Sequence, residues 1–322
     1  MRTRLKSDPG VLAGVRRQAI SDLCRLYFSK QWLVIFGVVI VAVGLAYVGA
    51  RSFAETTQST FVTTVNDYQA NGISLDSALS APVEVSGSGG NQTITNPLRF
   101  DFEGVAAARN AVTGLAFVST ALDVAIFLVL PLLLLFVGGS LALSDRAAGT
   151  TGLRAAREGW ARVVAGRLVA GFVVGVGAIS LICGAAAAAG LAGPKIWPIP
   201  DPGFDFGRAQ LQAQPFAPKV AFALAVAVAF LVLGYLLAQV SHTMSWPFLV
   251  VALALFVLPI VVSWDPRNLM AAVGRDVLDF WGQFKVWPTV EVDPGRALMV
   301  GLAEVAAMLL VVLLTNRRVP AR

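Results

Sequence analysis

The sequence predicts an all-α integral membrane protein: six transmembrane helices, an N-terminal amphipathic elbow helix, a short cytoplasmic coupling helix and a small extracytoplasmic loop region. Three observations lead there. Hydrophobic residues make up 57% of the 322 and charged residues 14%, against about 25% charged in a soluble domain, so water is not the solvent for most of the chain. Six stretches approach the ~20 apolar residues that a hydrocarbon layer of ~30 Å requires. Lysine and arginine are also spread unevenly over the segments between them. The same composition excludes a disordered chain. With only Cys24 and Cys183 there is no disulfide scaffold, and His242 is the single histidine.

The elements follow in order. Residues 1–30 form one unit, in which Val11, Leu12, Val15, Ala19, Leu23 and Leu26 share a helical face while Arg16, Arg17 and Arg25 stay wet. Asp8-Pro9 suits a helix start. This is an elbow lying on the inner leaflet, or a charged tail that only sets orientation. Residues 31–322 form a single six-helix domain with spans near 31–50, 116–143, 168–192, 220–240, 247–264 and 296–314. The fifth is short and follows the fourth after a tight hairpin, in which His242 reads as a capping group. Pro131 and Pro259 fall inside spans and are expected to kink them. Gly171, Gly175, Gly177 and Gly184 in the third span allow close helix contact.

Charge sets the orientation. With the N-terminus inside, the cytoplasmic pieces 1–30, 144–167, 241–246 and 315–322 hold fifteen basic and four acidic residues. The outer pieces, which are much longer in total, hold ten and thirteen. Both termini are therefore expected in the cytoplasm of a plasma (inner) membrane protein. The net charge of +6 is accounted for by this asymmetry, and nucleic acid is not an expected partner. The outer loop 51–115 is the largest soluble piece. Its flanks, 53–67 and 102–115, are expected to extend the neighbouring spans as helices around a flexible Gly/Ser-rich centre. A short surface helix is expected within 269–284.

No energy-converting motif is present. There is no G-x-x-x-x-G-K-[ST] phosphate loop, nor any Gly-Lys pair, and no metal-ligand spacing. The informative segment is the polar, basic loop 144–167 between the second and third spans. It carries Asp145-Arg146, then Gly149-Thr150, a helix-starting turn, and then Gly166-Arg167. Composition alone makes it an ordinary basic inner loop.

This segment resembles the coupling-helix region of permease subunits in the type-2 family of ATP-binding-cassette transporters. There an acidic residue and Arg are followed two residues later by Gly-Thr, and by Gly-Lys about seventeen positions on. Here Asp replaces the usual Glu and Arg replaces Lys, and the customary Pro-x-x-Arg is missing. The layout of elbow, span, large outer loop, span, coupling loop and four more spans is similar to that family too. The resemblance implies that Asp145, Arg146, Gly149, Thr150 and the helix after them, with Leu153, Arg154 and Arg157, receive motion from cassette ATPase subunits. It implies a second permease chain, identical or different. It places ATP and Mg in the partner ATPase, leaving no cofactor and no catalytic residue in this chain.

Two acids fall inside spans, Asp123 in the outer half of the second and Glu304 in the sixth. A charge there is expensive unless paired, wet or neutralised. Each either lines a pathway, meeting a cationic group or a proton, or is protonated or hydrogen-bonded between helices near an outer arginine such as Arg109. The leading function is the permease subunit of an exporter or flippase. The alternatives are a membrane anchor or assembly protein for an extracytoplasmic partner, and an ion-driven secondary transporter using Asp123 and Glu304.

Overall fold

The computed structural model describes residues 9–83, 85–86, 93–147, 156–157, 159–209, 216–280 and 284–316. Among these the regular structure is helical apart from two hairpins of two-residue strands. Helix α1 (Pro9–Phe28) is followed by α2 (Gln31–Ala70), α3 (Leu75–Ser80), the hairpin β1 (Val85–Ser86) and β2 (Thr93–Ile94), and α4 (Pro97–Asn110). Next come α5 (Ala116–Val124), a π-helical turn (Ala125–Val129) and α6 (Leu130–Ala147), which read as one long rod. Then follow α7 (Trp160–Ile196), α8 (Phe216–Ser241), α9 (Ser245–Phe256), α10 (Pro266–Gly274), the hairpin β3 (Asp279–Phe280) and β4 (Phe284–Lys285), and α11 (Pro294–Asn316).

Five helices are long and apolar enough to cross a bilayer: Gln31–Ala70, Ala116–Ser144, Trp160–Ile196, Phe216–Ser241 and Pro294–Thr315. The chain is a multi-pass membrane protein. The expected span at 247–264 is only partly helical. Helix α9 has 12 residues, about 18 Å at 1.5 Å per residue. Leu258 precedes Pro259, whose ring disfavours α geometry in its neighbour. The carbonyls left without helical donors are taken by Arg267, whose Nη1 donates to Leu258 O at 2.5 Å and Nη2 to Pro259 O at 3.4 Å. At the other end of α9, His242 takes a left-handed φ of 60° in the turn that joins it to α8.

The helices overrun the expected loops. Helix α2 has 40 residues, about 60 Å, because the Thr- and Ser-rich stretch after its apolar half carries no glycine or proline. Five threonines and one serine there return their hydroxyls to carbonyls three or four residues back. Helix α4 starts at an Asn96 cap, whose side chain accepts from Arg99 N, with Pro97 in the first turn. It ends at Asn110, earlier than expected. Helix α6 reaches Ala147 and α7 begins at Trp160, so the polar link between them is shorter than 144–167.

The α4 end of the molecule has its own small core. Phe61 and Val65 of α2 meet Leu98, Phe102 and Val105 of α4. Phe204 and Phe206 close over them, with ring centroids 5.1 Å from Phe61 and Phe102 respectively. The proline-rich segment that carries these rings is strapped down. Arg51 stacks on Trp197 at 3.9 Å and donates to the carbonyls of Trp197 and Pro198, both at 3.3 Å. Arg109 donates to Gln58 Oε1 at 2.6 Å and Pro200 O at 3.1 Å.

The central packing is α6 on α8. Gly138 and Gly234 bring the two backbones together: a Cβ on Gly138 would sit 2.2 Å from Leu231 O, and one on Gly234 2.2 Å from Leu135 O. Of the four glycines singled out in the third span, Gly171 and Gly175 face neighbouring side chains, whereas Gly177 and Gly184 face open space. Helix α1 lies against α7, and the side it buries there overlaps the expected apolar face only in part. Gln18, Ala19, Asp22 and Leu26 are covered, while Leu12 is 69% exposed.

Candidate functional site

Asp123 lies in the last turn of α5, one turn after Ser119, so both side chains leave the same face. The π-turn begins two residues later. Its cause is Pro131, which has no N–H to give the carbonyl four residues back and whose ring crowds that carbonyl. The ladder resets with Leu130 N–H donating to Ala125 O, five residues back. The expected kink at Pro131 is therefore a local widening immediately beside an acidic side chain.

The partner of Asp123 is Lys219. It enters from the first turn of α8, and its Nζ donates to Asp123 Oδ2 at 2.7 Å and to Ser119 Oγ at 2.7 Å. Both charged side chains are fully buried. The backbone amide of Asp279 in β3 faces the carboxylate without closing a full hydrogen bond on Oδ1. The ring of Phe280 rests 5.8 Å from that of Phe127 in the π-turn. The arrangement is a sealed ion pair joining α5 to α8, roofed by the strand after α10. Its place far from water makes the pair electrostatically strong and each member costly alone.

This corrects two readings of the sequence. Arg109, offered as the kind of outer arginine that Asp123 would meet, belongs to the cap over Phe61 instead. Lys219, counted among the residues of an outer loop, is inside the bundle. A signal was present: Lys219 heads an alanine-rich apolar run, and Asp123 lies in the corresponding half of its own span. Matching their depths would have paired them.

Glu304 is placed elsewhere. It is half-buried on α11, a helix packed on α8 and α10 with most of its surface open. It makes no hydrogen bond or ion pair among the described residues, and the charge facing it is the like charge of Asp265. The two intramembrane acids thus have opposite surroundings and form no joint site.

Asp265 caps α10. Its carboxylate accepts from Arg267 N at 2.9 Å, Nε at 3.1 Å and Nη2 at 2.7 Å. These bonds hold the Asp265 carboxyl below its ordinary value, against an opposing push from partial burial. A depressed carboxylate contributes stability at pH above its unfolded value and loses it as pH falls through the folded one. We therefore expect acidification below the ordinary carboxylate range to lower the thermal unfolding midpoint in detergent. Asp265→Asn should flatten that part of the profile, and an unchanged profile would show that the cap does not contribute.

At the other end, the link between α6 and α7 is only partly described. Asp145 and Arg146 occupy the last turn of α6. Arg157 is exposed in a short helical piece. Gly149, Thr150, Leu153 and Arg154, and with them the expected coupling helix, lie outside the described residues. Gly166-Arg167 is not part of a loop. A Cβ on Gly166 would meet the Gln18 side chain at 2.6 Å, so this glycine lets α1 approach α7. Arg167 is buried, with Nη1 3.4 Å from the Tyr235 hydroxyl. Arg25 of α1 donates to the carbonyl of Ser144, one of the last-turn carbonyls of α6 that has no partner within its own helix.

Among the described residues no group of three His, Cys, Asp or Glu could hold a metal ion. Cys24 and Cys183 are both free. In comparisons with known proteins, the chain matches no family model, no curated protein and no solved structure.

Proposed function

We propose that this chain is the membrane-spanning permease subunit of an ATP-binding-cassette exporter or flippase, without an ATPase site of its own and driven by separate ATPase subunits. The sixth crossing is α9 with the non-helical run up to Trp264, and both termini lie in the cytoplasm. Two permease chains, identical or different, form the pathway.

The observation that carries this reading is the grip of α1 on both flanks of the basic link. Arg25 holds the last turn of α6 through Ser144 O, and the side chain of Gln18 fills the space over Gly166 in α7. A push on residues 148–159 would then be delivered to two long helices and to α1 together. An ATPase pair can drive such a device only by binding its two states with different free energy. In the state described, the Asp123–Lys219 pair closes the opposite end of α5 and α8. Of the two intramembrane acids, Glu304 is the one with no hydrogen bond or ion pair among the described residues, and so the better candidate for contact with a cationic group.

Purification in mild detergent tests the class. A co-purifying cassette ATPase supports the proposal. An extracytoplasmic protein alone would favour an anchoring role, and neither would favour ion-driven transport. Within the complex, the Arg146→Ala, Gly149→Pro double variant is expected to leave ATP hydrolysis running while transport falls about tenfold or more, in line with ordinary coupling energies. Normal transport at normal expression would remove the role of this segment.

A further inference from the structure

The surface of α1 that faces away from α7 is chemically unusual. At about 100° per residue, Leu12, Arg16, Arg17, Ile20, Tyr27 and Phe28 occupy an arc of about 160°, opposite the buried arc of Gln18, Ala19, Asp22 and Leu26. Leu12 is 69%, Tyr27 62% and Phe28 79% exposed. Arg16 and Arg17 are exposed as well, and neither makes a hydrogen bond or ion pair among the described residues. The one acid of the described helix, Asp22, is on the covered side and bonded to Gln18 at 2.9 Å. Among the described residues the open arc therefore carries two positive charges without an ion-pair partner, set among large apolar groups. At its end Tyr27 stacks on Trp32, with centroids 6.0 Å apart, and meets Phe28 edge-on. Such an aromatic group suits headgroup depth.

We propose that this arc is a binding surface for anionic phospholipid headgroups of the leaflet that α1 meets. Leu12, Ile20 and Phe28 enter the acyl boundary, and Arg16 and Arg17 take lipid phosphates and keep the negatively charged lipids beside them. The charge complementarity selects the occupant. A protein partner would also suit the apolar groups, but nothing apolar requires the two exposed guanidinium groups between them, whereas a charged lipid surface satisfies both at once. The proposal does not depend on an ATPase driving the chain.

Cys24 lies on the same arc and is exposed, which supplies the probe. The full chain with Cys183→Ala is labelled at Cys24 with a fluorophore and reconstituted in phosphatidylcholine vesicles containing a minority of phosphatidylglycerol. Trace quencher-bearing lipid is then added, with either headgroup. Quencher phosphatidylglycerol is expected to act more strongly than quencher phosphatidylcholine, by about fivefold per arginine in local enrichment. Arg16→Gln with Arg17→Gln should abolish the preference, the Lys pair should keep most of it, and added salt should weaken it. Equal quenching by the two lipids with the native arginines overturns the proposal. So does a preference that survives the Gln pair, or one removed by inorganic phosphate at constant ionic strength, which would point to a free anion site.

Discussion

Lys219→Met is expected to destabilise the protein by about 3–5 kcal/mol, because it leaves the Asp123 carboxylate uncompensated in a fully buried place. The physical argument separates what the pair contributes from what breaking it costs. Bringing two charges out of water is expensive, and their mutual attraction returns only part of that cost. Removing one partner leaves the expense and deletes the return. Asp123→Asn should do less harm, since an amide oxygen can still accept from Lys219 Nζ while the ammonium retains Ser119 Oγ at 2.7 Å. The double variant Asp123→Leu, Lys219→Met removes both charges and should recover most of the loss. Thermal unfolding in detergent, followed by retention of a monodisperse gel-filtration peak, measures all three. A Lys219→Met protein as stable as the parent would mean that the acid is already neutral, and the sealed ion pair would have to be abandoned.

Gly138→Val and Gly234→Val are expected to be as damaging, on the order of 3 kcal/mol each, at the upper end of what overpacking costs. The new Cβ in each case meets a carbonyl oxygen of the facing helix at 2.2 Å. Backbone cannot rotate away as a side chain can, so α6 and α8 must separate along their whole contact, and Leu134, Leu231 and Tyr235 lose their packing with them. Gly177→Val and Gly184→Val supply the control. Both face open space, and a valine there should change the unfolding midpoint little. Equal effects at all four positions would mean that helix propensity, not the α6–α8 contact, sets the outcome.

The contrast between these glycines illustrates what sequence can carry. Small residues in an apolar helix announce that some neighbour comes close, and Gly171 and Gly175 do have one. The pattern does not name the neighbour, and the backbone approach between α6 and α8 involves Gly138 and Gly234, which carry no motif. The long spans were legible because each is a local property: about 20 apolar residues need no tertiary partner to declare themselves. The stretch 247–264 shows where such a local property stops short. Its hydropathy is sufficient, but Pro259 and the returning Arg267 convert its second half into irregular backbone.

Charge behaved differently in different places. Asp123 was recognisable because an acid in an apolar run is conspicuous, whereas Lys219 was hidden by its position at the boundary of a span. One helical turn decides whether such a lysine reads as loop or as core. On α1, the alternation of apolar and basic residues showed an amphipathic helix but did not say which side packs against α7. Gln18 and Asp22 are hydrogen-bonded to each other at 2.9 Å on the covered side, and Leu12 and Ile20 are left outside.

The sequence by itself determined the solvent of this protein and the rods that stand in it, because hydrophobic length is additive along a chain. Only the tertiary structure decided which charge meets which, which backbone touches which, and which side of α1 is left open. Those outcomes depend on rotation of each rod about its axis, a quantity settled by contacts between residues about a hundred positions apart.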